Sequence, residues 1–359
     1  MYINKQISEK ILTIGPDSRN HRGGIGAVID IYSKNFEVFN FIPTYKVGPT
    51  LYKIYVFLKS LFNVLYILLR NKNIEIVHIH GSHGGSFYRK YICFVISKYL
   101  FNKKVLYHVH SSDYHLFYAN SNRLIRSKIR KFINHADCLV CLSDWWKKFF
   151  EENFNPNKIA TLANVIDYPI ITEKHRDSEI TRFLFLGIID HRKGVYDLIE
   201  VIKNNMVFFE NKIELIIGGN GETEKLQNLI KKYQIGHVVK FSGWIQKEQK
   251  IQYLQNTDIY ILPSYNEGLP ISILEAMSYG KPIISTHVGG IPEIVKNNEN
   301  GFLISPGNLD QIEKSIKYFI EKPHDIEKFG SVSAKMVEKY FPDSVFLNLE
   351  RIYLEILTG

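Results

Sequence analysis

Apolar residues in the first half of the chain gather in short runs, which amphipathic stretches such as Leu51–Arg70 and Ser86–Tyr99 separate. Uninterrupted runs rich in Val, Ile and Leu are typical of parallel strands that are buried on both faces. The first half therefore predicts a doubly wound α/β domain, a parallel sheet with helices on both sides. The predicted strands are KILTIG (10–15), FEVFNFI (36–42), IEIVHIHG (74–81), KVLYHVH (104–110) and DCLVCLS (137–143).

The second half repeats this alternation of strands and helices. Between the halves, residues 168–178 combine Pro169 with a charged tail, which is typical of a linker. The pattern predicts two Rossmann-like domains, residues 1–172 and 173–343, whose parallel sheets face a cleft, and a last helix in 344–359 that packs back across both. The predicted strands of the second half are RFLFLG (182–187), IELIIGG (213–219), VVKFSG (238–243), DIYILPS (258–264), PIIST (282–286) and GFLIS (301–305).

Length and composition agree with two folded domains. The chain has 359 residues, of which 45% are apolar and 23% are charged, so it can build two cores and does not resemble a disordered protein. Residues 1–10 lack the apolar core of a signal peptide. Lys53 and Lys59 interrupt the most lipid-like stretch, and the uncharged part, residues 60–69, is too short to span a bilayer. We expect a cytoplasmic protein, or one peripheral to the cytoplasmic face of the inner membrane.

The net charge of +9 is unevenly distributed. Residues 1–172 hold 23 Lys/Arg against 11 Asp/Glu, whereas the rest of the chain is slightly acidic. Such asymmetry is explained equally well by an anionic partner and by a solvated basic surface. Residues 123–132 (RLIRSKIRKF) and 88–104 mix cations with apolar residues, which fits an anionic membrane surface or ordinary helices packed on the sheet. No nucleic acid is expected, because the aromatic residues lie mostly in core-like runs.

The segment PSYNEGLPISILEAMSYGKPIIST (263–286) carries the most chemistry. It predicts a strand end, a loop, a helix that begins near Leu269 and the next strand. The free N–H groups at a helix start bind anions such as a diphosphate. Two acids near such a start, Glu267 and Glu275, suit sugar or ribose hydroxyls, although a dipole partner and a surface glutamate would explain them as well.

Two glutamates eight residues apart in this context resemble the E-x7-E motif of the retaining GT-B glycosyltransferases of family 4. The neighbouring segments FLGIIDHRKGVYDLIE, IIGGNGE, VVKFSGWI, STHVGGIPEIV and NGFLISPGN resemble the same family in the same order. The resemblance covers nearly all of the second half closely and the first half loosely. It implies a GT-B fold and transfer of a sugar from a nucleotide-sugar donor.

The resemblance also implies roles for single residues of the second half. Glu275 would bind the ribose hydroxyls of the donor. Glu267 would lie beside the transferred sugar, with the amides of Gly268 and Leu269 nearby. Lys193 would bind the donor diphosphate, where a fixed cation stabilises the charge that builds up as the nucleoside diphosphate departs.

One position departs from the family pattern. The family commonly has Gly-Arg after the strand, whereas Ile188 follows Gly187 in this chain. We expect Arg192, next to Lys193, to supply the second cation. The alternative is that one lysine suffices and Arg192 faces solvent.

In the first half, HRGGIGAVI (21–29) follows the first strand and opens a helix. As a dinucleotide fingerprint it is weak, because the third glycine is missing, but such a turn lets backbone amides approach a phosphate. The resemblance implies that Gly23 and Gly24 face the donor diphosphate. It places His110 beside the transferred sugar or the acceptor, with His80 a weaker candidate for the same rim.

No catalytic metal and no other cofactor are expected. His78 and His80 share one strand face and His108 and His110 share another, but strand histidines without an acid cluster are more often hydrogen-bonded core residues than metal ligands. The chain has no Asp-x-Asp motif, and cationic side chains with helix amides can stabilise a diphosphate without a divalent ion.

These features predict a glycosyltransferase that uses a nucleotide-sugar, with UDP-sugars favoured, and acts on a glycan or a polyprenyl-linked glycan for a capsule, O-antigen or similar polymer. The resemblance implies that the configuration at the anomeric carbon is retained, and the choice between a double displacement and a same-face attack stays open. An oxidoreductase lacks its glycine fingerprint. A catalytically inactive sugar-nucleotide-binding protein is the principal alternative, because Ile188 breaks a family position.

Overall fold

The computed structural model describes residues 2–18, 23–170, 180–245 and 247–358, and the chain forms two compact units. The first unit comprises residues 1–166 and 340–359, and the second comprises residues 167–339. These boundaries lie within six residues of the predicted domain limits at 172 and 343, and the C-terminal residues group with the first unit. Most of the predicted linker, from residue 171 onward, falls outside the described residues.

The first unit is built on one six-stranded sheet. Its strands are β1 (Ile11–Gly15), β2 (Asn40–Pro43), β3 (Ile76–Gly81), β4 (Lys104–Val109), β5 (Cys138–Cys141) and β6 (Ile159–Thr161). All neighbours pair in parallel, in the order β2-β1-β3-β4-β5-β6. The connecting helices are α1 (Lys5–Ser8), α2 (Gly24–Asn35), α3 (Thr50–Arg70), α4 (Gly85–Val95), α5 (Tyr114–Asn120), α6 (Arg123–His135) and α7 (Asp144–Asn153), with a π-helical turn (Ile96–Leu100) after α4.

The second unit is built on another six-stranded parallel sheet. Its strands are β7 (Thr181–Leu186), β8 (Ile213–Gly218), β9 (Val239–Phe241), β10 (Ile259–Leu262), β11 (Ile283–Thr286) and β12 (Gly301–Ile304). Their order, β12-β11-β10-β7-β8-β9, is the Rossmann order. Its helices are α8 (Val195–Asn204), α9 (Met206–Phe209), α10 (Thr223–Lys232), α11 (Lys247–Asn256), α12 (Ile271–Ser278), α13 (Ile291–Ile294), α14 (Leu309–Glu321) and α15 (His324–Met336), and a 3₁₀ turn (His191–Lys193) precedes α8.

The two parallel sheets confirm the predicted fold class. One strand was not predicted: β6 has three half-buried residues, too few to stand out as an apolar run. In each sheet the strand order reverses once, between β1 and β3 in the first unit and between β7 and β10 in the second. Ligands of open α/β sheets bind beyond the carboxyl ends of the strands at such a point.

The C-terminal helix α16 (Pro342–Thr358) covers one face of the first sheet. Its buried residues recur at helical spacing, and Phe346 and Tyr353 lie against the aromatic side chains of Tyr32 and Phe36. The opposite face of the sheet is covered by α3, α4, α6 and α7, whose buried side chains form the main core of the unit.

The helix α3 is the one described helix that is long and apolar enough to cross a membrane by length and composition. Length and composition alone are weak evidence for a membrane span. In the structure Val56, Ser60, Val64 and Leu68 are buried, so α3 packs along one stripe against its own unit.

Four histidines form a stacked array beneath α2 and α16, on β3 and at the end of β4. Neighbouring rings lie 4.1–5.5 Å apart between centroids, and the Tyr353 hydroxyl is 2.6 Å from Nδ1 of His78. Burial lowers the pKa of His78 and of His110 to about 3, and lowers the pKa of His80 and His108 well below the usual value. The folded protein therefore holds this array, His78, His80, His108 and His110, in its neutral form.

We predict that the first unit loses stability as pH falls below about 6.5. The unfolded chain protonates its histidines near pH 6.5, whereas burial holds the pKa of His78 and His110 at about 3 in the folded protein, so below about pH 6 acid favours unfolding by at least ~1 kcal/mol per pH unit. Urea unfolding at about pH 7.5 and about pH 5 measures this difference, with Trp145 and Trp146 as reporters in a Trp244→Phe background.

His108→Gln should make the free energy of unfolding less sensitive to acid. His135→Gln is the matched control, because His135 is exposed on the same unit, and it should leave the sensitivity unchanged. Equal free energies of unfolding at the two pH values would contradict the prediction.

Candidate donor site in the second unit

Loops that follow β7 and β10 meet at the point where the strand order of the second sheet reverses. After β7, the side chain of Asp190 accepts a hydrogen bond from the backbone of Lys193 (3.0 Å) and so begins the 3₁₀ turn. After β10, the backbone N–H of Tyr265 donates to the carbonyl of Arg192 (2.7 Å). Gly194 has φ +71°, and a Cβ there would lie 2.1 Å from the carbonyl oxygen of Pro263, so the two backbones touch.

The predicted diphosphate cation and the predicted sugar-binding acid form an ion pair at this place. Nζ of Lys193 contacts Oε1 of Glu267, which also accepts a hydrogen bond from the Ser264 hydroxyl (2.8 Å). Both charged side chains are largely buried. A buried charge needs a partner of opposite charge, so each of these two side chains holds the other in place. Removing only one of them typically lowers the free energy of unfolding by about 3–5 kcal/mol.

Arg192 reaches the same loop as Lys193. Its Nη1 donates to the carbonyl of Asn266 (3.1 Å), and its Nε lies 3.9 Å from Oδ2 of Asp190. The side chain of Ile188, two residues after the end of β7, is partly exposed. Two adjacent cations therefore approach the 264–268 loop from the β7 side.

A third loop, after β11, closes on the same segment. Gly290 donates its backbone N–H to the carbonyl of Gly268 (2.7 Å). Gly289 has φ +53°, and a Cβ there would lie 1.9 Å from the carbonyl oxygen of Glu267. The pair of glycines in STHVGG, which sequence reasoning noted only as a resemblance, thus permits the backbone contact that holds residues 267 and 268.

The helix α12 starts at Ile271, two residues later than predicted, because Pro270 takes an extended conformation and acts as the N-cap residue. Leu269 is buried just before this start. Glu275 lies on the second turn of α12, where one of its carboxylate oxygens contacts Nζ of Lys250 on α11. The sequence analysis assigned no role to Lys250, which belongs to no recognisable motif, or to Ser264, although Ser264 lies within the segment 263–286.

Gly23, Gly24 and His110 of the first unit also lie at the carboxyl edge of their sheet, whereas His80, the weaker candidate for the rim, is fully buried on β3. Gly23 is the extended N-cap residue of α2 and Gly24 is its first residue, and a Cβ at Gly23 would meet no atom within 4 Å. His110 follows β4, with Nε2 2.9 Å from Nδ1 of His80 on β3, and it also hydrogen-bonds Asn164.

Three histidines of the array bring potential ligand nitrogens within 4.8 Å of one another: His78, His80 and His108. The rings of His78 and His80 are stacked, with an angle of 22° between their planes. The lone pairs of stacked imidazoles lie in nearly parallel planes and do not converge on one ion, so the array fits a packed core better than a metal centre. The expectation of a metal-independent reaction stays a prediction.

Comparison with known proteins identifies the family. Residues 169–336 match the model of glycosyl transferases group 1, and residues 30–168 match the model of glycosyltransferase family 4. The chain belongs to these glycosyltransferases, and its fold is GT-B.

Two relatives and two solved structures illustrate the match. An uncharacterized glycosyltransferase of Haemophilus influenzae is 29% identical over 232 residues, which cover 64% of this chain and 64% of that protein. WcaL of Salmonella typhimurium, named for colanic acid biosynthesis, is 25% identical over 228 residues, or 60% of this chain and 54% of that protein. The chain thus covers less than two thirds of the length of these two relatives.

The solved structures support the fold. Sucrose-phosphate synthase from Thermosynechococcus elongatus has a TM-score of 0.80 and 16% identity, over 97% of this chain and 99% of that chain. HepE from Anabaena, in complex with UDP and glucose, has a TM-score of 0.73 and 15% identity, over 98% of this chain and 99% of that chain.

We predict that Lys193→Ala lowers kcat at least about a hundredfold, the usual effect of removing one group that stabilises transition-state charge. Because the substitution also leaves Glu267 buried without its cation, the thermal midpoint should fall too. The double variant Lys193→Met/Glu267→Gln removes both charges and should recover stability but not activity. Recovery of activity in the double variant would show that the pair is only structural.

Arg192→Ala tests whether Arg192 is the second cation. We expect a loss of kcat of about tenfold or more, and a result within a few-fold of the parent would contradict this role. Lys225→Ala is the matched control, because Lys225 is an exposed cation of the same unit paired with Glu222, and its removal should leave kcat unchanged.

Proposed function

We propose that the chain is a retaining, metal-independent glycosyltransferase that takes its sugar from a nucleotide-sugar, with UDP-sugars favoured. The observation that carries this proposal is the buried pair of Lys193 and Glu267 at the reversal of strand order in the second sheet. UDP and glucose are named in the HepE complex, which has the same fold, and this supports the choice of donor.

In this proposal Lys193 and Arg192 bind the donor diphosphate. Both side chains reach the loop 264–268 from the 3₁₀ turn after β7. A departing nucleoside diphosphate gains negative charge, which fixed cations in a largely buried place stabilise more strongly than water does. Before the donor binds, Glu267 neutralises Lys193, so the cation is held in place without a ligand.

Glu275 binds the donor ribose, and Glu267 binds the transferred sugar beside Gly268 and Leu269. Oε1 of Glu267 already accepts from Lys193 and Ser264, and a carboxylate held in this way is a weak nucleophile. We therefore favour same-face attack, in which the departing phosphate takes the proton of the acceptor hydroxyl, over a double displacement through Glu267.

The first unit binds the acceptor, with His110 at the carboxyl edge of its sheet. The acceptor in this proposal is a glycan or a polyprenyl-linked glycan of a cell-surface polysaccharide such as a capsule or O-antigen. The name of WcaL, which refers to colanic acid biosynthesis, supports this class. A polyprenyl acceptor would place the enzyme on the cytoplasmic face of the inner membrane.

A donor panel tests the proposal. Purified protein is incubated with UDP-, GDP- and ADP-sugars, with and without a membrane lipid extract, and release of nucleoside diphosphate is measured. We expect release from one donor, stimulation by lipid, and the same rate after EDTA is added, because cationic side chains replace a metal. Glu275→Ala should abolish release, whereas Lys225→Ala should not.

Other outcomes would contradict parts of the proposal. Loss of release with EDTA would contradict metal independence. Tight donor binding without turnover, with or without lipid, would identify a catalytically inactive sugar-nucleotide-binding protein. If the protein neither binds a donor nor releases nucleoside diphosphate, the proposed donor site is contradicted.

A further inference from the structure

One face of α3 exposes an apolar stripe along the whole helix. Its residues follow one another at spacings of three or four, which places them on one side of the helix. Leu51 is 81% exposed and Phe62 is 67% exposed. We call this stripe the α3 apolar face; its residues are Leu51, Tyr55, Leu58, Phe62, Tyr66 and Leu69.

The opposite side of α3 is the buried side. Val56, Ser60, Val64 and Leu68 lie within the unit, and the last two belong to the main core of the first unit. A helix that is packed along one side cannot cross a bilayer without leaving its core. The α3 apolar face instead lies flat on the surface of the unit, about 27 Å long at 1.5 Å per residue, which is the arrangement of an interfacial helix.

The helix α3 carries only positive charge. Thr50–Arg70 contains Lys53, Lys59 and Arg70 and no acid. By helical spacing Lys59 and Arg70 lie along one edge of the α3 apolar face, whereas Lys53 lies on the side of Val56 and Ser60. Apolar side chains bordered by cations complement a bilayer with anionic headgroups.

A second copy of the chain is a poorer occupant. In a symmetric dimer the same patch would meet itself, so Lys59 and Arg70 would face like cations, and α3 itself has no acid to neutralise them. Charge complementarity therefore favours the anionic bilayer.

The basic helix α6, which the sequence pointed to, lacks such a face. Its residues Ile129, Phe132 and Ile133 are buried in the core, and its outer side is mainly cationic. α6 can add electrostatic attraction and exposes Leu124, but the continuous exposed apolar stripe lies on α3.

We propose that the α3 apolar face inserts into the interface of an anionic lipid bilayer and holds the enzyme on the membrane surface. The proposal deepens the proposed function, because it names the surface that would bring the first unit to a lipid-linked acceptor. It depends on lipid binding alone, however, and can be tested without a donor or an acceptor.

Co-sedimentation with vesicles tests this surface. The full chain is mixed with vesicles of phosphatidylcholine, with or without phosphatidylglycerol. We expect binding only to the anionic vesicles, weakened by salt. Phe62→Glu should lower the partition coefficient at least about tenfold, because an apolar anchor becomes an anion. Val207→Glu, which also replaces a highly exposed apolar residue by an acid but in the second unit, should leave binding unchanged.

The depth of a tryptophan side chain in the bilayer distinguishes insertion of α3 from electrostatic adsorption. Phe62→Trp adds a reporter whose fluorescence should be quenched by brominated lipid chains, whereas a Trp in place of Leu124, exposed on α6, should be quenched much less. Equal quenching of the two reporters would assign binding to charge alone and overturn the proposal.

The remaining outcomes also decide the proposal. If Phe62→Glu leaves vesicle binding unchanged, the proposal is overturned. If the substitution also dissociates a dimer, the α3 apolar face is a contact between two copies of the chain instead. Release of nucleoside diphosphate by the same preparations separates the two proposals: release without vesicle binding contradicts only the surface, and vesicle binding without release contradicts only the proposed function.

Discussion

The ion pair between Lys193 and Glu267 is the interaction on which the site in the second unit depends. Two opposite charges are held out of water between loops that follow different strands, and neither would be tolerated there alone. The loops after β7, β10 and β11 must therefore keep close backbone contact, which Gly194 and Gly289 permit. A diphosphate that enters meets a cation already fixed in position, so little of its binding energy is spent on ordering side chains.

Parallel strand order explains why these groups meet although they are far apart in the chain. Every strand of a parallel sheet ends at the same edge, and the order of this sheet reverses between β7 and β10, which is where open α/β sheets form their ligand crevice. The first unit uses the same rule, with Gly23 after β1 and His80 and His110 at the ends of β3 and β4. The two faces of the first sheet pack against different helices. One face packs against α2 and α16, which bury the neutral histidine array, and the other packs against α3, whose outer side is apolar and exposed.

Much of the fold was predictable from the sequence, because buried parallel strands are continuous apolar runs. The short strand β6 was missed, since three half-buried residues form no run. Lys193, Glu267 and Glu275 were found through a resemblance, whereas the partner of Glu275, Lys250, was not, since contacts between separate helices leave no local signal. The apolar side of α3 was also hidden: both of its sides are apolar, and only packing shows which of them is buried.

Amide hydrogen exchange of the full chain, followed by mass spectrometry with saturating UDP and, in parallel, GDP, tests the central claim most directly. If the donor diphosphate binds where Lys193 and Glu267 meet, one nucleotide should slow exchange in the peptides that cover residues 188–195 and 264–276. Peptides that cover α10 should be unchanged. If a bound nucleotide slows exchange in other peptides but not in residues 188–195 and 264–276, the proposed diphosphate site at Lys193 and Glu267 is contradicted.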